Sequence, residues 1–139
     1  MELPTTLLKQ TISRGTIFHS SIFKQIDHDK FFIVIGESEE EVIGFFFINS
    51  NVNRHIFKTQ SLLDLQYQLK KSDYPFLKYD SFLSCIEINK IKKSRLQDSL
   101  SERSTTIKGS LTEIDEANIL TMVRSSKVFS PIEKRTFFQ

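Results

Sequence analysis

Asp27-His28-Asp29-Lys30-Phe31-Phe32-Ile33-Val34-Ile35-Gly36 passes from ionisable side chains directly into β-branched and aromatic ones. Such a run suits a strand covered on both faces, so it predicts a core strand from about Phe31 with polar groups at its mouth. A second apolar run, Val42 to Ile48, carries Phe45-Phe46-Phe47 and is interrupted by Gly44. Between the two lies Glu37-Ser38-Glu39-Glu40-Glu41, acidic and suited to a solvated tip. The two runs therefore read as a hairpin at the centre of a closed barrel or a covered sheet.

Outward from that hairpin, Gly15-Thr16-Ile17-Phe18-His19 reads as a short strand, entered by a turn at Arg14-Gly15 and left at Ser20-Ser21. Asn49-Ser50-Asn51-Val52-Asn53 reads as a chain reversal, because Asn and Ser side chains bond their own backbone. Leu63, Leu65, Tyr67 and Leu69 alternate with polar residues, the period of a half-wet strand ended by Lys70 to Asp73, and Ser81 to Ile88 gives a further strand. Five strands are thus expected before residue 90. Residues 90–111 read as a polar loop with at most one helical turn. Thr112-Glu113-Ile114-Asp115 resembles a capping box opening a helix over about 113–124, with Ile114, Ala117, Leu120 and Val123 as its apolar face. In the tail, 125–139, Pro131 is expected to break regular structure, and Phe137-Phe138 to dock on the core or meet a partner.

The 139 residues suit one domain, and 39% hydrophobic content with 12% aromatic suffices for one core. A formal charge of +2 does not suggest a dedicated duplex-DNA binder. The single cysteine, Cys85, rules out an internal disulfide and reads as a core thiol. The absence of any span of roughly 20 apolar residues, and of a signal-like start at Met1-Glu2-Leu3-Pro4, leads to the expectation of a cytoplasmic protein without membrane contact. No phosphate loop, metal-ligand spacing or nucleophile elbow occurs, so no cofactor and no metal is expected.

Several positions together resemble the PemK/MazF-like plasmid-toxin family. They are Gly15-Thr16-Ile17, the strand after Lys30, the turn at Asn49-Ser50, Leu77 to Asp80-Ser81, and Lys108-Gly109-Ser110-Leu111-Thr112, spread over about residues 14–125. The resemblance implies a small SH3-like barrel of about five to six strands, over about 14–90, with a C-terminal helix. It further implies a bacterial, dimeric, metal-independent endoribonuclease neutralised by an antitoxin protein. The family's Arg-Pro pair falls on Lys30-Phe31 and its hydroxyl residue on Ser50. Lysine offers a point charge where arginine holds a phosphate through two parallel bonds.

Cleavage of single-stranded RNA without metal needs a base for the 2′-hydroxyl and cations for the phosphate. On this reading Lys30 stabilises charge, His28 is the base, and Ser50 or Asn49 donates to the phosphate, with His19 and His55 as less well placed histidines. Asp80 and Ser81 orient the basic groups or touch the substrate, and Tyr79 and Tyr74 stack on bases. Each has a plainer alternative: a solvated hairpin approach for His28, turn caps for Asp73, Asp80 and Ser81, and core-edge cover for the tyrosines. Lys90, Lys92, Lys93 and Arg95 form the densest basic cluster, either a phosphate-attracting patch or a solvated face. Two function classes stay open: the toxin-type endoribonuclease, and a noncatalytic barrel relative that binds a protein or nucleic-acid partner as a dimer or otherwise.

Overall fold

The computed structural model describes residues 12–23, 26, 28–50 and 60–139. Their order is β1 (Thr16–Ser20), β2 (Lys30–Glu37), β3 (Val42–Asn49), α1 (Gln60–Leu63), β4 (Gln66–Leu69), β5 (Ser81–Ser84), β6 (Asn89–Lys92), α2 (Lys93–Ser101), β7 (Thr105–Ser110), α3 (Glu113–Ser125) and α4 (Pro131–Phe137). The fold is mainly β. Seven strands form one antiparallel sheet in the order β4-β5-β3-β2-β1-β7, with β6 also on β3, and β4 is not paired to β7.

The expected central hairpin is β2 and β3, paired Phe31↔Ile48, Phe32↔Phe47, Ile33↔Phe46 and Val34↔Phe45, with Gly36↔Gly44 beyond a bulge. Both faces are covered, which explains the unbroken apolar runs. One face, with Ile33, Ile35, Phe46 and Ile48, packs against Ile119 and Val123 of α3 and Phe137-Phe138 at the end of α4. The other, with Phe32, Val34 and Phe45, packs against Leu96 and Leu100 of α2. At the hairpin tip Ser38 caps the turn through both its backbone and its side chain, and Glu37 pairs with Lys93 at 3.0 Å.

Several local expectations are corrected. Leu63 closes the single helical turn α1, supported by a 2.8 Å bond from Gln60 to Asp64, so the strand starts only at Gln66. The strand expected over Ser81 to Ile88 stops at Ser84 and resumes at Asn89, because Cys85 turns its N–H to Leu65. The loop expected at 90–111 is instead the end of β6, then α2 and β7. Strand β7 is rich in Thr, which suits a pleated surface; Thr105 is buried and shares a 2.7 Å hydroxyl contact with Ser20 of β1.

Thr112 caps α3 as expected, accepting from the Asp115 N–H at 3.2 Å. The buried face of α3 is Ile119, Leu120 and Val123, however, and Ile114 is 75% exposed. Tyr67 and Tyr74 each donate to Asp115, at 2.6 and 2.5 Å. Holding Asp115 inward brings Ile119, four residues on, inward with it and leaves Ile114 outside. Pro131 does not break the tail: it occupies the first turn of α4, where its missing N–H has no intrahelical partner to lose, behind a Ser130-Glu133 capping box. Of the two roles considered for Phe137-Phe138, the structure has the docked one.

Candidate functional site

Antiparallel pairing brings the first residue of β2 and the last of β3 to the same end of the sheet, one step beyond Phe31↔Ile48. There the Lys30 ammonium donates to the Asn49 side-chain oxygen and lies 5.6 Å from the Phe47 ring centre. Lys30 is only partly exposed, and that burial lowers its pKa from the ordinary lysine value.

A groove of about 930 Å³ opens at this end. Its floor includes Phe31 and Ile48, and its mouth includes His28, Lys30, Asn49 and Ser50. His28 and Ser50 are exposed there. The far wall is Phe76, Lys78 and Tyr79, and Lys108 reaches in from β7. Phe31 is the hub of the floor: the His19 ring centre is 4.5 Å from it and that of Phe76 5.6 Å. Three lysines, two histidines and one aspartate, Asp29, therefore share a cleft with three exposed or half-exposed aromatic rings.

Of the sequence-derived candidates, Lys30, Ser50, His28, Asn49, Ser81 and Tyr79 all border this groove. Asp80 does not; its carboxylate accepts the Lys71 N–H at 2.8 Å and so braces the loop. Ser81 is buried and gives its hydroxyl to the Tyr79 carbonyl at 2.9 Å, which fixes the residue before Asp80 rather than reaching outward. Tyr79 is 64% exposed, but Tyr74 is buried and belongs to the Asp115 anchor, not to a stacking surface. His55 and Asn51 to Asn53 lie outside the described residues. The basic cluster is elsewhere: Lys93 pairs with Glu37, and Lys90 lies 6.0 Å from the Phe137 ring. Cys85 is a buried thiol whose pKa is pushed up by burial.

Two of the groove's three lysines were not singled out from the sequence as site residues, Lys108 and Lys78. Lys108 alternates with Gly109 and Ile107 in a Thr-rich strand that composition alone assigned to a loop. Its signal was the β-propensity of Thr105-Thr106-Ile107. Among the described residues no three His, Cys, Asp or Glu side chains gather as a metal ion would require.

The Asp115 anchor holds the groove wall, since Tyr74 is two residues from Phe76 and also accepts the Thr112 N–H at 3.1 Å. Burial, and then the bond to Asp115, push the Tyr74 phenol up to about 12. The same causes raise that of Tyr67. A folded-state pKa above the unfolded value of roughly 10 gives stability that is complete below pH 10 and is lost as pH rises through about 12. We therefore expect a spectrophotometric tyrosinate titration to show a phenol ionising near pH 12, absent in Tyr74→Phe, with thermal stability falling over the same interval. A Tyr74→Phe titration identical to wild type would contradict the anchor.

No family model matches the chain, and no curated protein matches it. Among the described residues no helix is long and apolar enough to cross a membrane.

Proposed function

We propose that this chain is a PemK/MazF-like, toxin-type endoribonuclease that cuts single-stranded RNA without metal, and that the groove at the β2 and β3 ends is its RNA path. The observation that carries the reading is the gathering of Lys30, Asn49, Ser50 and His28 at one groove mouth, beside Lys78, Lys108 and the rings of Phe31, Phe76 and Tyr79. Cations beside exposed rings are what single-stranded nucleic acid needs, one for the backbone and the other for unstacked bases. On this proposal the one-sheet fold is an open form of the family's SH3-like barrel.

In the proposed reaction His28 takes the proton of a ribose 2′-hydroxyl, and the freed oxygen attacks the adjacent phosphorus. The new O2′–P bond forms as the P–O5′ bond breaks, and the departing 5′-oxygen takes a proton from water. Lys30, with Ser50 and the Asn49 amide, stabilises the crowded phosphate during this exchange. The products are a 2′,3′-cyclic phosphate and a 5′-hydroxyl. The resemblance adds a homodimer, an antitoxin protein and a bacterial cytoplasm to the proposal.

One observation favours the second reading, a noncatalytic relative that binds RNA or a protein partner. Lys30-Phe31 stands where the family has Arg-Pro, and the Lys30 ammonium is already engaged by Asn49. Long single-stranded RNA incubated with the purified protein in excess chelator separates the two. Cutting that leaves 2′,3′-cyclic phosphate ends establishes the nuclease. Intact RNA that binds a folded protein, with affinity falling as salt rises, establishes the binding module.

A further inference from the structure

A second depression, of about 240 Å³, lies beside the first and shares Lys30 and Asn49 with it. Phe47, Ser84, Ile86, Glu87 and Asn89 complete much of its wall. It is smaller than the roughly 300–1,000 Å³ of drug-sized sites, and suits a single planar ring system between apolar sides.

The polar groups of this pocket have a definite donor and acceptor pattern. Ser84 Oγ accepts from Gln66 Nε2 at 3.1 Å, so its own O–H is what remains to give. Asn89 Nδ2 is directed to the Phe45 carbonyl at 3.5 Å, which leaves its amide oxygen as the group to offer a ligand. Asn49 accepts from Lys30 through its oxygen and so offers its NH₂. Glu87, on the exposed turn between β5 and β6, contributes a carboxylate with two accepting oxygens.

A carboxylate receives a base best where two N–H donors stand side by side. Guanine alone among the four RNA bases has this, at N1 and the 2-amino group, with O6 and N7 left to accept from hydroxyl, amide or ammonium donors. Adenine and cytosine set a ring acceptor beside their amino group, and uracil flanks its one N–H with carbonyls, so each would turn a lone pair towards Glu87.

We infer that this pocket binds a guanine base next to the phosphate held at Lys30, with Glu87 as the specificity-determining acceptor. The inference rests on the groove being an RNA path, and it names the base that the path selects. Lys30 stands at the boundary of the two cavities, where a base in one and the phosphodiester in the other would meet.

The test is competition by single nucleotides, 5′-GMP, IMP, AMP, CMP and UMP, against a labelled single-stranded RNA, paired with direct calorimetric titration of each nucleotide. A bidentate contact contributes about 1–3 kcal/mol of discrimination, roughly 5- to 160-fold in affinity. GMP is expected to bind that much more tightly than AMP, and IMP, which lacks the 2-amino group, to fall towards AMP. Glu87→Gln, a near-isosteric change on an exposed turn, is expected to remove the GMP preference, while Lys30→Ala, which removes the cation at the phosphate, weakens all five nucleotides. Equal binding of GMP and AMP, no GMP binding up to millimolar concentration, or an unchanged preference in Glu87→Gln overturns the inference. Glu87-dependent GMP binding by a protein that neither binds nor cuts RNA upholds the pocket and overturns the nuclease reading. RNA cutting without base preference does the reverse.

Discussion

Gly36→Ala is expected to lower the melting temperature by about 10 °C and to release the C-terminal helix from the sheet. Gly36 and Gly44 face each other across β2 and β3, and α4 ends directly over them. A Cβ on Gly36 would lie 2.1 Å from the Phe137 carbonyl oxygen and 2.8 Å from its carbon. Those are backbone atoms, so no side-chain rotation relieves the overlap. The helix end is also held from the other side: Arg14 donates to the Ile35 and Phe137 carbonyls at 2.7 and 3.2 Å, and Arg124 to that of Phe138 at 2.5 Å. The chain must then either strain the sheet or give up the seat of Phe137 and Phe138, which are 4% and 0% exposed. Overpacking alone costs about 1–3 kcal/mol and unseating a buried phenylalanine about 3–5, so a loss of about 3 kcal/mol is the expected scale. Increased binding of a hydrophobic dye should accompany it. Gly109→Ala is the control, because its Cβ would meet Phe76 at an ordinary 3.5 Å. Its melting temperature should stay close to wild type; equal falls in both variants would remove the helix seat as the cause.

The two glycines also mark the limit of what the sequence discloses. The runs Phe31 to Ile35 and Val42 to Ile48 announce strands buried on both faces, and the pairing bears this out. Nothing near Gly36 or Gly44 says that Phe137, about a hundred residues away in sequence, will lie on them. The rotation of α3 is hidden for the same reason. Its local pattern fits Ile114, Ala117, Leu120 and Val123, but two tyrosines 41 and 48 residues distant take Asp115 inward and turn Ile114 to solvent. A long-range hydrogen bond outweighs a weak amphipathic stripe, and no window on the sequence contains both partners.

The site was legible where the strands were. Because hairpin register follows from the apolar pattern, polar residues just outside the two runs, Lys30 and Asn49, become neighbours. Tyr79 and Ser81 come to the same groove through a loop whose bracing by Asp80 and Lys71 composition merely hints at. Lys108 was lost with β7, since hydroxyl-rich residues suit loops and strand edges alike.

In the proposed nuclease Lys30→Ala should slow RNA cutting by 100-fold or more, the usual scale when one preorganised group facing developing charge is removed. Among the described residues no other lysine replaces it, because Lys78 and Lys108 line the groove from the β4–β5 loop and from β7 while Lys30 makes the Asn49 contact. Lys30→Arg is the informative partner to this variant. The side chain borders both cavities, which leaves room for a guanidinium, and a planar fork can hold two phosphate oxygens at once. Cutting by Lys30→Arg should therefore equal or exceed that of wild type. The pH profiles distinguish charge from mere occupancy. Burial lowers the Lys30 pKa, so its positive charge is lost at a lower pH than for a free lysine near 10.5. The alkaline limb of the wild-type rate should fall below that value, and in Lys30→Arg it should move upward, since arginine stays charged throughout. Superimposable alkaline limbs would mean that Lys30 contributes position and not charge. A Lys30→Ala protein that cuts at the wild-type rate would remove the β2 mouth from the chemistry altogether.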